Sequence, residues 1–132
     1  MAEDISGEIV VDASFILAFL LPDERVEQAD EIFDLYEDGK IDFISSVLLP
    51  FEILNGLRNS ILRKRITKQQ AADLAKEFFK IKISLVEIDF KQTFSLSLKE
   101  NLSVYDASYV WLARLRRIPL LTLDSRLKRL TT

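Results

Sequence analysis

The sequence predicts an α/β layered fold built on a mainly parallel sheet. Short β-branched or apolar runs alternate with longer stretches of helical periodicity. Prolines and a glycine punctuate the joins, and acids or hydroxyls stand where apolar runs give way to helix starts. In such folds each strand returns through a helix, and ligands collect at the carboxyl ends of the strands, near a switch in strand order.

Ile9-Val10-Val11 is β-branched, ends in Asp12 and predicts a buried strand. Ala13 to Leu21 is apolar and helical, stopped by Pro22-Asp23. Val26, Ala29, Ile32, Phe33 and Tyr36 recur at helical spacing, with Gly39 as the stop. Ile41 to Ser45 is the second strand. Pro50 fits the first turn of the next helix, whose apolar face is expected to be Phe51, Leu54, Leu57 and Ile61. Thr67 and Gln70 form a capping box ahead of a helix through Ala71, Leu74, Ala75 and Phe78. Ser84 to Ile88 is the third strand, and Phe90 to Glu100 a helix. Ser103 and Asp106 form a second capping-box pattern before a helix through Tyr109, Leu112, Ala113 and Arg116. Pro119 to Leu123 is the fourth strand, followed by Asp124-Ser125 and a short basic helix. No repeat or linker interrupts the 132 residues, which predict a single domain over 1–132.

Composition narrows the chemistry. There is no histidine and no cysteine, so imidazole and thiolate catalysis, disulfides and thiolate zinc sites are excluded. A cysteine-free chain fits a reducing cytoplasm. Met1-Ala2-Glu3-Asp4 lacks the basic and apolar regions of a signal peptide, and Phe15 to Leu21 is far short of a membrane span. Glycine occurs only at 7, 39 and 56, which rules out a dinucleotide fingerprint or a phosphate-binding P-loop. Asp12-Ala13-Ser14 also lacks the second acid of an Asp-x-Asp phosphotransferase motif.

Charge is unevenly spread. Residues 1–58 carry 14 acids against 3 bases, whereas residues 107–132 carry 1 acid against 6 bases. The pattern suits a basic flank beside an acidic centre, where metal ions meet phosphates. It also suits solvated helix ends, since bases favour helix C-termini.

Hard oxygen chemistry remains, and four acids are placed for it: Asp12, Glu52, Asp106 and Asp124. Each has an ordinary alternative. Asp12 and Asp124 can cap the helices that follow them, Asp106 can complete a capping box, and Glu52 can simply favour a helix dipole, a cap being worth about 1 kcal/mol. Helix N-termini and strand C-termini share one edge of a parallel sheet, however, so the four should converge. Two carboxylates at about 4 Å repel by roughly 4 kcal/mol at an effective dielectric of 20. Such a cluster calls for protons or a divalent cation. Ser14 and Thr122, each two residues from an acid, can orient a carboxylate or cap locally. Asn55 and Asn59 share a helical face with Glu52. Gly56 would let another helix approach closely.

Read together, Val10-Val11-Asp12-Ala13-Ser14, Leu49-Pro50-Phe51-Glu52-Ile53-Leu54, Ser103-Val104-Tyr105-Asp106-Ala107-Ser108-Tyr109 with Leu112-Ala113, and Leu121-Thr122-Leu123-Asp124-Ser125-Arg126-Leu127 resemble the PIN-domain ribonucleases, specifically the VapC-type toxins of toxin–antitoxin pairs. The segments cover the chain nearly end to end, in family order.

The resemblance implies a three-layer α/β/α sandwich with a mainly parallel four- or five-stranded sheet. It makes Asp12, Glu52, Asp106 and Asp124 the metal-binding catalytic acids, with Thr122 and Ser14 as supporting hydroxyls. It implies Mg²⁺- or Mn²⁺-dependent hydrolysis of RNA leaving a 5′-phosphate and a 3′-hydroxyl, a homodimer, and a cognate antitoxin partner. The segments Arg58 to Lys68 and Arg114 to Arg129 would meet the RNA backbone. Relatives run on into a last edge strand, which here would be short or missing. Two alternatives stay open: a PIN-like module that binds RNA or protein without cutting, and an unrelated α/β domain with capping acids only.

Overall fold

The computed structural model describes residues 7–131; the acidic Met1–Asp4 segment lies outside the described residues. Four strands, β1 (Gly7–Val11), β2 (Ile41–Ser46), β3 (Ile83–Val86) and β4 (Leu120–Leu121), pair in the order β3-β2-β1-β4. Every pairing is parallel, with Ile9 opposite Phe43, Ile44 opposite Ser84, and Val10 opposite Leu120. Ile9, Val10 and Val11 are all fully buried, as a strand covered on both faces requires.

Helices form the outer layers: α1 (Ala13–Leu20), α2 (Glu27–Glu37), α3 (Leu49–Leu62), α4 (Lys68–Lys80), α5 (Phe90–Glu100), α6 (Val104–Arg116) and α7 (Ser125–Leu130). Helices α1 to α4 pack on one another, while α6 lies on β1, β2 and β4 and carries α5 outside it. The three-layer α/β/α sandwich with a parallel sheet is thus present, with four strands among the described residues. No described helix is long and apolar enough to cross a membrane.

Local chemistry explains most boundaries. Thr67 and Gln70 close a reciprocal capping box on α4. Pro50 sits in the first turn of α3, and Gly39, at φ +74°, turns the chain out of α2. Tyr36 stacks on Phe43 and accepts a hydrogen bond from the Lys82 N–H, tying α2 to β2 and to the start of β3. Gly56 brings α3 against α1: a β-carbon there would stand 2.8 Å from Leu17 Cδ1.

Three expectations need correction. The core-facing side of α3 is Leu49, Ile53 and Leu57, while Phe51 and Leu54 are exposed. Leu49, Ile53 and Leu57 form a stripe at helical spacing just as Phe51, Leu54, Leu57 and Ile61 do, so periodicity could not choose between them. The third strand begins and ends earlier than Ser84 to Ile88, because its register follows β2. The fourth strand shrinks to Leu120–Leu121, since β1 offers it only Val10 and Val11.

Candidate active site

Strand β1 is the switch point: β2 lies on one side of it and β4 on the other. Asp12 leaves its carboxyl end and Asp124 follows β4 closely, so both acids stand at the sheet edge where the strand order reverses, the crevice position of such folds. Glu52 in the first turn of α3 and Asp106 in the first turn of α6 complete the set. Their charges feel one another: Asp106 acts on Asp12 and Glu52, Asp12 on Glu52, and Asp124 on Asp106. The four acids chosen from sequence therefore share one electrostatic neighbourhood, with Asp106 linked to all the others.

The capping alternatives are also partly real. Asp12 Oδ1 accepts from the Phe15 N–H at 3.0 Å and caps α1. Asp124 Oδ1 accepts from the Arg126 N–H at 2.8 Å and caps α7. The expected box at Ser103 is only half built. Ser103 Oγ accepts from the Asp106 N–H at 3.0 Å, but no reciprocal bond returns from the Asp106 carboxylate to the Ser103 N–H. The Ser103 hydroxyl nonetheless acts on that carboxyl, favouring its charged form.

Two hydroxyls knit the crevice. Ser14 Oγ donates to Asp12 Oδ1 at 2.7 Å and accepts from the Leu123 N–H at 3.1 Å. Thr122 Oγ1 accepts from the Asp124 N–H at 3.0 Å and lies 3.4 Å from Ser14 Oγ. Both residues named from sequence thus bridge the turn after β1 and the turn after β4.

Sequence reasoning missed three polar side chains. Tyr109, fully buried, donates its hydroxyl to Glu52 Oε1 at 2.7 Å. Ser46 and Ser108, both fully buried, stand 2.9 Å apart, with Leu48 N–H donating to Ser46 and Ser108 donating to the Tyr105 carbonyl. Together these contacts tie the start of α3 to the first turns of α6. The available signal was that a tyrosine buried three residues after Asp106 needs a hydroxyl partner.

The basic segments divide by role. Arg65 is spent on Asp23 and Glu24, and Arg114 on the Leu130 carbonyl at the end of α7. Arg126 donates to the Asn101 carbonyl, and its charge acts on Asp106. Arg126 thus stands near the acids. Asn55 and Asn59 are exposed on α3.

Burial pushes the Asp12 carboxyl above the ordinary carboxylate range, outweighing the Thr122 and Ser14 hydroxyls and the Phe15 amide; Asp106 adds to the rise. Burial also raises Glu52, against the Tyr109 hydroxyl, with Asp106 and Asp12 adding to it. Asp106 is raised by burial and then by Asp124, with Ser103 and Arg126 opposing. The folded state therefore holds protons more tightly than the unfolded chain. That stabilisation is complete below the ordinary carboxylate values and is lost as pH rises through the raised folded ones. Metal-free protein should melt higher near about pH 5 than at about pH 7.5, measured in EDTA. A flat or inverted profile would contradict it.

The donor set suits a hard cation: oxygen only, anionic and mutually repelling. Among the described residues, no three acidic side chains are gathered closely enough to hold an ion between them. Mg²⁺ keeps several of its waters and takes one or two carboxylates directly, so acids that stand off still fit it.

A family model described as the PIN domain matches residues 9–132. The chain belongs to the PIN-domain family. This PIN domain is 36% identical over 125 residues to Ribonuclease VapC3 of Pyrobaculum aerophilum, a match covering 91% of this chain and 92% of that protein. Its fold is similar to the crystal structure of PAE2754 from the same organism, with TM-score 0.72 and 22% identity over 100% of this chain and 87% of that one. It is also similar to VapC20 of Mycobacterium tuberculosis, described as a Sarcin-Ricin loop cleaving toxin, with TM-score 0.64 and 16% identity over 92% and 93% of the two chains.

Proposed function

We propose that this PIN domain is a Mg²⁺- or Mn²⁺-dependent endoribonuclease and the toxin of a type II toxin–antitoxin pair. The observation that supports the reading is that Asp12, Glu52, Asp106 and Asp124, at strand ends and first helical turns beside the switch point of the sheet, act on one another electrostatically. Likeness to a ribonuclease along 91% of the chain supports it.

Asp12, Glu52 and Asp106 would hold the ion, directly or through water, and Asp124 would assist or hold a second one. When bound, such an ion acidifies an attacking water and offsets charge developing on the scissile phosphate. Ser14 and Thr122 keep Asp12 and the turn carrying Asp124 oriented. Arg126 lies where an RNA phosphate approaching Asp106 would meet a cation. With no histidine in the chain, the displaced proton goes to one of the carboxylates or to bulk water. Exposed apolar side chains on α3 (Phe51, Leu54) and α5 (Phe90, Phe94, Leu98) offer surface for an antitoxin and for a second copy of the chain.

Purified protein given RNA and MnCl₂ should release fragments with 5′-phosphate and 3′-hydroxyl ends, and EDTA should stop it. Induced expression should arrest growth, relieved by co-expressing the antitoxin. Undiminished cleavage in EDTA would sink the metal-dependent reading. RNA binding with no cleavage under any divalent ion would favour the non-cutting module, which the spread of the acids keeps in play.

A further inference from the structure

Glu52 is the one acid of the four whose carboxylate is gripped by a side chain from another helix. Tyr109 reaches it from α6, 57 residues away, at 2.7 Å. The tyrosine is fully buried and rises from the same helix as Asp106, three residues on, hence on the same face. Its ring is fixed by the layer α6 forms on β1 and β2, so the hydroxyl is a rigid donor on a rigid element. Glu52, by contrast, is only partly buried and is repelled by both Asp12 and Asp106. Left alone, a flexible glutamate under that repulsion would turn toward water. The Tyr109 hydroxyl opposes this by occupying Oε1.

We propose that Tyr109 is a positioning residue, holding the Glu52 carboxylate among the other acids so that its remaining oxygen would be available to the cation. The proposal rests on the metal-dependent reading above and names a residue that acts through Glu52 without touching RNA. A merely structural tie between α3 and α6 would instead change stability and leave ion affinity alone. Outer-shell partners of metal ligands commonly account for 10–100-fold in affinity.

The test is calorimetric titration of the protein with MnCl₂, without RNA, alongside melting curves in EDTA. Tyr109→Phe keeps the ring and removes only the hydroxyl. Its Mn²⁺ dissociation constant should rise about tenfold, while its metal-free Tm stays within a few degrees of wild type. Cleavage should recover toward the wild-type rate at saturating Mn²⁺. In the background of Glu52→Gln, adding Tyr109→Phe should weaken Mn²⁺ binding no further. Glu52→Asp leaves Tyr109 intact but draws the carboxylate back by one methylene. It should weaken Mn²⁺ binding whether or not Tyr109 acts and so tests only that Glu52 holds the ion; should Tyr109→Phe fail to fold, Tyr109→Met, which also lacks the hydroxyl, is read in its place. Mn²⁺ affinity within twofold of wild type in the variant that folds overturns the positioning role, as does an independent tenfold loss in the double variant. Wild-type protein that takes up no Mn²⁺ overturns the metal reading itself, and this inference with it.

Discussion

Asp106→Asn should abolish RNA cleavage, by a factor on the order of 10²–10³ or more, and at the same time raise the Tm of the metal-free protein by a few degrees. The two effects have one cause. Asp106 is the acid whose charge reaches all three others, so its carboxylate takes part in every side of the repulsion that a cation would relieve. Asparagine keeps the size and the backbone N–H that Ser103 caps, and its amide oxygen can still accept from the Ser103 hydroxyl that acts on Asp106. What disappears is a partly buried negative charge: costly when the site is empty, necessary when it works. Cleavage rates with saturating MnCl₂ and melting curves in EDTA would be read side by side. Normal cleavage would remove Asp106 from the site. A fall in metal-free Tm of several degrees would show instead that its carboxylate supports the fold.

Much of this site was legible because its acids occupy positions with local grammar. Asp12 ends a β-branched run, Asp106 follows a capping serine by three, and Asp124 precedes a short basic helix. A parallel sheet places all such positions on one edge, so topology converts local pattern into convergence. Ser14 and Thr122 were legible for the same reason, each two residues from its acid. The Tyr109 hydroxyl on Glu52 and the Ser46–Ser108 contact were not. Both join residues more than 50 positions apart, and a tyrosine or serine within an apolar face looks like filling until its partner is known. On α3 two stripes at helical spacing share Leu57, and the buried one runs through Leu49 and Ile53, leaving Phe51 and Leu54 outside. The role of Arg126 depends on the Asn101 carbonyl, which closes α5 in a left-handed conformation that composition does not announce.

Adding MnCl₂ to about a hundred times its dissociation constant should raise the neutral-pH Tm by about 8–12 °C. A ligand that binds only the folded state at that excess contributes about 2.7 kcal/mol, and a chain of this size gains a few degrees per kcal/mol. The rise should shrink toward about pH 5, because protons and the cation compete for Asp12, Glu52 and Asp106, whose proton affinities are raised. It should also shrink sharply in Asp12→Asn. That variant keeps an oxygen to accept from Ser14 and from the Phe15 N–H, so α1 stays capped while the charge is gone. The control is NaCl at matched ionic strength, which screens the four acids without bridging them. An equal rise in NaCl and in MnCl₂, or one that survives Asp12→Asn intact, would mean that the crevice is merely negative and holds no ion.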